Sequence, residues 1–87
     1  MKIRPGFIMN KVNNVDVVVA VGEASAKFNA VITLNGSGAF LWTLLQNDVT
    51  EQELMCAMLE KYDIDEATAK RDVEAFVNKA RSAGILE

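Results

Sequence analysis

Few residues of this chain are of a type that does covalent chemistry, and their spacing removes most of what remains. There is no histidine, so the commonest general base and metal ligand near neutral pH is absent. The single cysteine, Cys56, has no histidine to activate it as a nucleophile. It reads as a small packing residue of a helix, with a free reactive thiol as the competing account. The acids of Asp63-Ile64-Asp65-Glu66 lack the glycine and the distal glutamate of a calcium loop. They read as helix-capping acids. Gly36-Ser37-Gly38 opens a helix, a place where anions can bind, but no Lys or Arg stands nearby in sequence. A tight strand-to-helix turn accounts for it. Ser37 is not in the Asp-Ser-Leu setting of a carrier-protein attachment site. The residues call for no catalysis, no metal and no cofactor.

Recognition is the chemistry left, and two places could carry it. One is a strand edge within residues 28–34, FNAVITL. Phe28, Ala30, Ile32 and Leu34 alternate with Asn29, Val31 and Thr33, the period of a strand with one face on a core. The outward set carries no charge, so an open edge here would be an unguarded template for a partner strand. The other is a helix flank. Thr68, Asp72, Ala75, Lys79 and Ser82 follow a helical spacing beside an apolar stripe. Small Ala75 between Asp72 and Lys79 would leave room for a partner's side chain. A solvated face that happens to contain an alanine explains the flank equally well. If helix and strand lie side by side, the two places form one groove.

The elements that would position this groove read in order. Residues 2–6 are a lead-in punctuated by Pro5-Gly6. Residues 7–12 and 15–21 predict two strands joined at Asn13-Asn14, a pair that tolerates a tight hairpin turn. In the second strand Val15, Val17, Val19 and Val21 share a face, while Val18 and Ala20 keep the other from being fully wet. Residues 22–27 predict a small-residue loop back to the third strand, 28–34. The expectation is an antiparallel three-stranded meander, too small to be stable without cover on one face. Three helices supply it. The first spans about residues 37–46 and holds Trp42 as core. The second follows the capping box Thr50-Glu51-Gln52-Glu53 and runs to about residue 62, with Leu54, Met55, Met58, Leu59 and Tyr62 on one face. The third runs from Glu66, after an Asp65 cap, to about Ala83, with Ala69, Val73, Phe76, Val77 and Ala80 as its stripe. Val49 with Leu54 and Ile64 with Ala69 fall at hydrophobic-staple positions. Gly84 is a natural C-cap, and Ile85-Leu86 fold back over the end.

Composition bounds the rest. Eighty-seven residues, 51% hydrophobic and 24% charged, are too apolar for disorder and fit a single domain over residues 1–87. No apolar run approaches the roughly 20 residues that cross a bilayer, and no signal peptide is visible. With one cysteine there is no internal disulfide, and the expectation is a cytoplasmic protein with no membrane contact. The net charge of −3 is uneven. Residues 1–34 hold four Lys/Arg against two Asp/Glu, and residues 35–87 hold five against ten. Acidic helices are a poor footprint for nucleic acid.

Three stretches carry a resemblance. LNGSGAFLW at residues 34–42 resembles the Leu-Asn-x-x-Gly-Ala-x-x-Trp signature of the PqqD family, the pyrroloquinoline quinone synthesis protein D group. TEQELMCAMLEKYDID, from Thr50, resembles that family's second helix and turn. KRDVEAFVNKARSAGIL, from Lys70, resembles its third helix, Arg-Asp-Val-x-x-Phe-Val/Leu running to Gly-Ile/Leu-Leu. The likeness spans about Pro5 to Leu86. It implies an α+β, winged-helix-like fold, a three-stranded antiparallel sheet followed by three α-helices. It also implies a non-catalytic peptide chaperone, or RiPP recognition element. Such a protein binds the leader segment of a ribosomally made precursor peptide and presents it to a modifying enzyme, often a radical SAM protein. Carried onto this sequence, the leader would add to Asn29, Ala30, Val31, Ile32, Thr33 and Leu34 and contact Arg71, Asp72, Ala75, Phe76 and Lys79. No cofactor is implied for the module itself. Two other readings compete: a winged-helix nucleic-acid-binding protein, and a small structural subunit that forms a homodimer through the same open edge.

Overall fold

Asn13 and Asn14 start the sheet. Both have positive φ, 51° and 65°, the backbone that a two-residue hairpin turn of the primed type demands. Asparagine tolerates that conformation better than other non-glycine residues. The turn pairs β1 (Phe7–Val12) with β2 (Val15–Ala20), from Val12 opposite Val15 out to Phe7 opposite Ala20. The computed structural model describes residues 1–27 and 31–87. Between β2 and the third strand it contains a one-turn helix, α1 (Ala24–Lys27), where a loop was expected. Gly22 turns the chain at φ 62°, and Ser25 Oγ donates to the Gly22 carbonyl at 2.6 Å. β3 (Val31–Leu34) then runs antiparallel to β2, giving the order β1-β2-β3 of the expected meander. The expected first half of this strand, Phe28, Asn29 and Ala30, lies outside the described residues.

Register decides which face is core. Val18 stands opposite Met9 on one side and Ile32 on the other, and it is buried along with Phe7 and Leu34. The face richest in valine therefore looks outward, the reverse of what the number of valines suggests. Val18 follows the Ile32 and Leu34 side of β3, and the pleat then turns Val15, Val17 and Val19 away from the helices.

Three helices cover the inner face. α2 (Gly36–Leu44) begins at Asn35, whose Oδ1 accepts from the Gly38 N–H at 2.7 Å. It starts one residue earlier and ends two earlier than the spacing suggested, and it buries Leu41 and Trp42. α3 (Glu51–Lys61) has the expected reciprocal capping box. Thr50 Oγ1 accepts from the Glu53 N–H, and Glu53 Oε1 accepts from the Thr50 N–H, both at 3.1 Å. α4 (Glu66–Ser82) is capped by Asp65, which accepts from the Thr68 N–H at 2.8 Å. This bond holds the Asp65 carboxyl below its ordinary pKa. Ala69, Val73, Phe76, Val77 and Ala80 are all buried. Cys56 is exposed on α3. It falls too far round the helix from Leu54 and Met58 to pack, which corrects the packing role expected of it.

The ends of the chain join this core. Gly84, at φ 76°, closes α4 with Ile85 N–H bonded to Ala80 and Gly84 N–H bonded to Arg81, the paired bonds of a Schellman motif. That turn drives Ile85 and Leu86 into the interior. Residues 2–4, expected only as a lead-in, pair with them. Ile3 bridges Leu86 and is 5% exposed, and the Arg4 N–H bonds to the Ile85 carbonyl at 2.7 Å. Period-two and period-3.6 patterns cannot identify a single-residue bridge, so this contribution leaves no trace in the sequence pattern.

Candidate functional site

β3 has β2 on one side and no described strand on the other. α4 runs along that open side. Between them lies a cleft of ≈ 530 Å³ lined by residues of β3, the β3–α2 turn, α2 and α4. Thr33 and Leu34 form the strand wall, Asn35, Ser37, Gly38 and Leu41 the end and floor, and Asp72, Ala75, Phe76 and Lys79 the helix wall.

Local chemistry explains this shape. Phe76 belongs to the buried stripe of α4, and Ala75 lies just outside it, exposed. A short side chain beside a buried aromatic leaves a hollow with an apolar back. Asp72 and Lys79 flank it two helical turns apart, about 10 Å, and give the wall one acid and one base. At the turn, the Asn35 side chain caps α2 by crossing close to Gly38. A Cβ on Gly38 would come 3.1 Å from Asn35 Oδ1 and 3.4 Å from Leu34 Cβ. Glycine therefore keeps both the cap and the end of the cleft in shape. The sequence signal for this end was the run Asn-Gly-Ser-Gly, which reads first as a turn and does not by itself announce a cleft.

One hydrogen bond fixes the direction of the strand. Lys79 Nζ donates to the Thr33 carbonyl at 3.1 Å. A lysine on α4 reaches a β3 carbonyl only from the side away from β2. Alternate residues of a strand direct their backbone groups the same way, so Val31 and Thr33 present N–H and C=O to the open edge. Ile32 and Leu34 face the β2 ladder. Val31 is 72% exposed, and nothing apolar in the described structure covers it.

Of the residues expected at a binding groove, Thr33, Leu34, Asp72, Ala75, Phe76 and Lys79 come together around the cleft. Val31 continues its strand edge. Ile32 turns inward with Val18, Trp42 and Ile85 around a small apolar hollow behind Phe76. Arg71 stays in solvent outside the cleft and reaches it only through Asp72, with Nε 3.9 Å from Oδ1. Asn29 and Ala30 lie outside the described residues. Among the described residues no group of three or more His, Cys, Asp or Glu side chains could hold a metal ion. No helix among the described residues is long and apolar enough to cross a membrane. The arrangement offers an open strand edge, an apolar hollow and two opposite charges, which is equipment for holding an extended chain.

Comparison with known proteins places this architecture. The structure of TbiB1 in complex with the TbiA(beta) leader peptide is similar over 100% of this chain and 95% of that one, with a TM-score of 0.76 at 22% identity. The structure of a lasso peptide synthetase B1 complexed with its leader peptide is similar over 97% of this chain and 93% of that one, with a TM-score of 0.72 at 17% identity. At such identities the likeness is one of fold. No curated protein matches the sequence. The profile of one family, described as Coenzyme PQQ synthesis protein D, matches residues 14–86, which run from the hairpin turn to the buried Leu86, and the chain belongs to that family, PqqD.

Proposed function

We propose that this protein is a non-catalytic peptide chaperone. It binds the leader segment of a ribosomally made precursor peptide and presents it to a modifying enzyme, for which a radical SAM protein is the expected class. The observation that carries this reading is the outward-facing backbone of Val31 and Thr33 beside the Ala75–Phe76 hollow. The leader adds as a fourth strand along β3 and sends a side chain into the hollow. Both solved structures of similar fold hold leader peptides, which supports the same use of the fold here.

Main-chain bonds in this mode are shared by any extended peptide, each worth about 0.5–1.5 kcal/mol net. Selectivity comes from the hollow and from the charges at its ends. The Thr33 carbonyl has two lone pairs, so Lys79 can share it with an incoming N–H or release it to an acidic leader side chain.

Two variants test the reading by fluorescence anisotropy, against a labelled precursor leader peptide that the wild type binds. Val31→Pro removes an outward N–H, which the β2 ladder does not use, and proline is tolerated on edge strands. Ala75→Arg fills the hollow from an exposed position. Each is expected to weaken binding at least tenfold with the circular dichroism spectrum unchanged. Normal binding by both would show the groove assignment to be wrong.

A further inference from the structure

Lys79 stands where an added strand must bond. Its Nζ donates to the Thr33 carbonyl at 3.1 Å, and that carbonyl is an acceptor of the open β3 edge. In the free protein the ammonium therefore fills a place that an incoming backbone N–H would take. A lysine laid against an edge strand is one of the devices that keep unwanted strands from pairing with it.

The charge of Lys79 is also the one left open in the cleft. Asp72 and Lys79 are the charged residues that line it. Asp72 has Arg71 beside it, with Nε 3.9 Å from Oδ1. Among the described residues Lys79 forms no ion pair, and the acceptor it holds is a neutral peptide oxygen. An ammonium bonds a carboxylate more strongly than a carbonyl, because both partners are then ionised. A carboxylate brought into the cleft draws Lys79 off Thr33 and frees the edge. A neutral side chain offers no such exchange, and its strand must compete with the ammonium.

Spacing says where that carboxylate sits. Ala75 and Lys79 are four residues apart on α4, about 6 Å. Alternate side chains of an extended chain are about 6.6 Å apart on one face. A leader that fills the hollow beside Ala75 and Phe76 with an apolar side chain therefore brings the side chain two residues away to Lys79.

We infer that Lys79 is the residue of this groove that selects the leader. It closes the β3 edge in the free protein and opens it to an extended peptide that carries Asp or Glu two residues from an apolar anchor. The inference rests on the leader-binding reading above and adds the class of leader that the groove takes.

The test uses the full chain and a labelled leader peptide that the wild type binds, together with the same peptide carrying each Asp or Glu changed singly to Asn or Gln. Fluorescence anisotropy compares the wild type with Lys79→Met and Lys79→Arg, both at an exposed position, with folding checked by circular dichroism. For the wild type, one acid-to-amide change is expected to weaken binding at least tenfold. For Lys79→Met, the original leader should bind at least fivefold more weakly, and the same change should then matter less than twofold. That amide peptide should bind Lys79→Met more tightly than it binds the wild type, because the guard is gone. Lys79→Arg should restore the dependence on the acid. A tightly bound leader with no Asp or Glu would overturn the inference, as would an acid whose effect persists undiminished in Lys79→Met. Amide exchange separates this failure from that of the peptide reading. A leader that protects the Val31 and Thr33 amides but is indifferent to Lys79 would leave strand addition standing and remove the selecting role alone. A leader that binds without protecting them would remove both.

Discussion

Single residues set both ends of the recognition cleft and the caps of the helices around it. Thr50 closes the N-terminus of α3 through its reciprocal bonds with Glu53. Thr50→Ala should cost about 0.5–2 kcal/mol, read as a lower urea midpoint with an unchanged slope. Asp65 does the same for α4, and its bond from Thr68 depresses its pKa in the folded state. A depressed carboxyl contributes stability that is present above the unfolded value and lost as pH falls through the folded one. The wild type should therefore lose stability below about pH 4. Asp65→Asn, which can cap but does not titrate, should lose less between pH 6 and pH 2.5 in urea titrations. An equal loss would assign the acid sensitivity to other carboxylates, of which Asp48, held low by the Met1 α-amino group, is the first candidate. Cys56 is exposed on α3 and does not line the cleft. Maleimide should label it in the folded protein without changing leader affinity, which also gives a site for a fluorophore. Protection from labelling would contradict its placement.

At the scale of elements, the hairpin and the helix stripe are the parts that sequence specifies most tightly. Asn13 and Asn14 both sit in the left-handed region, so Asn14→Gly should raise the melting temperature and Asn14→Val should lower it. Leu54 is fully buried in α3, away from the cleft, and Leu54→Ala should cost about 2–5 kcal/mol while leaving leader affinity of the folded fraction unchanged. The capping box, the meander and the whole stripe of α4 were legible because each is a local pattern: a reciprocal pair three residues apart, a period of two, a period near 3.6. The facing of β2 was not legible. Both its faces are apolar, and only pairing with β3 selects Val18 as core. The burial of Ile3 was not legible either, because its partner Leu86 lies at the other end of the chain. α1 was missed because a single turn of four residues, Ala-Ser-Ala-Lys, carries no periodic signal. In the cleft, the helix wall was readable from Asp72, Ala75 and Lys79. The floor from Asn35 to Leu41 was hidden within what reads as a turn and a core helix.

The described molecule is a three-stranded sheet with one face on a core and with the edge of its short third strand left open beside a helix. Its charge supports peptide recognition over nucleic acid, since residues 35–87 carry twice as many acids as bases. The proposed function depends on β3 accepting a fourth strand. Site-resolved amide hydrogen exchange measures that step directly. In the free protein the Val31 and Thr33 amides face solvent and should exchange fast, while those of Val18 and Ile32 should be protected. On adding the leader peptide, the Val31 and Thr33 amides should become protected at least tenfold. Binding of the leader with no added protection at Val31 and Thr33 would contradict strand addition at this edge.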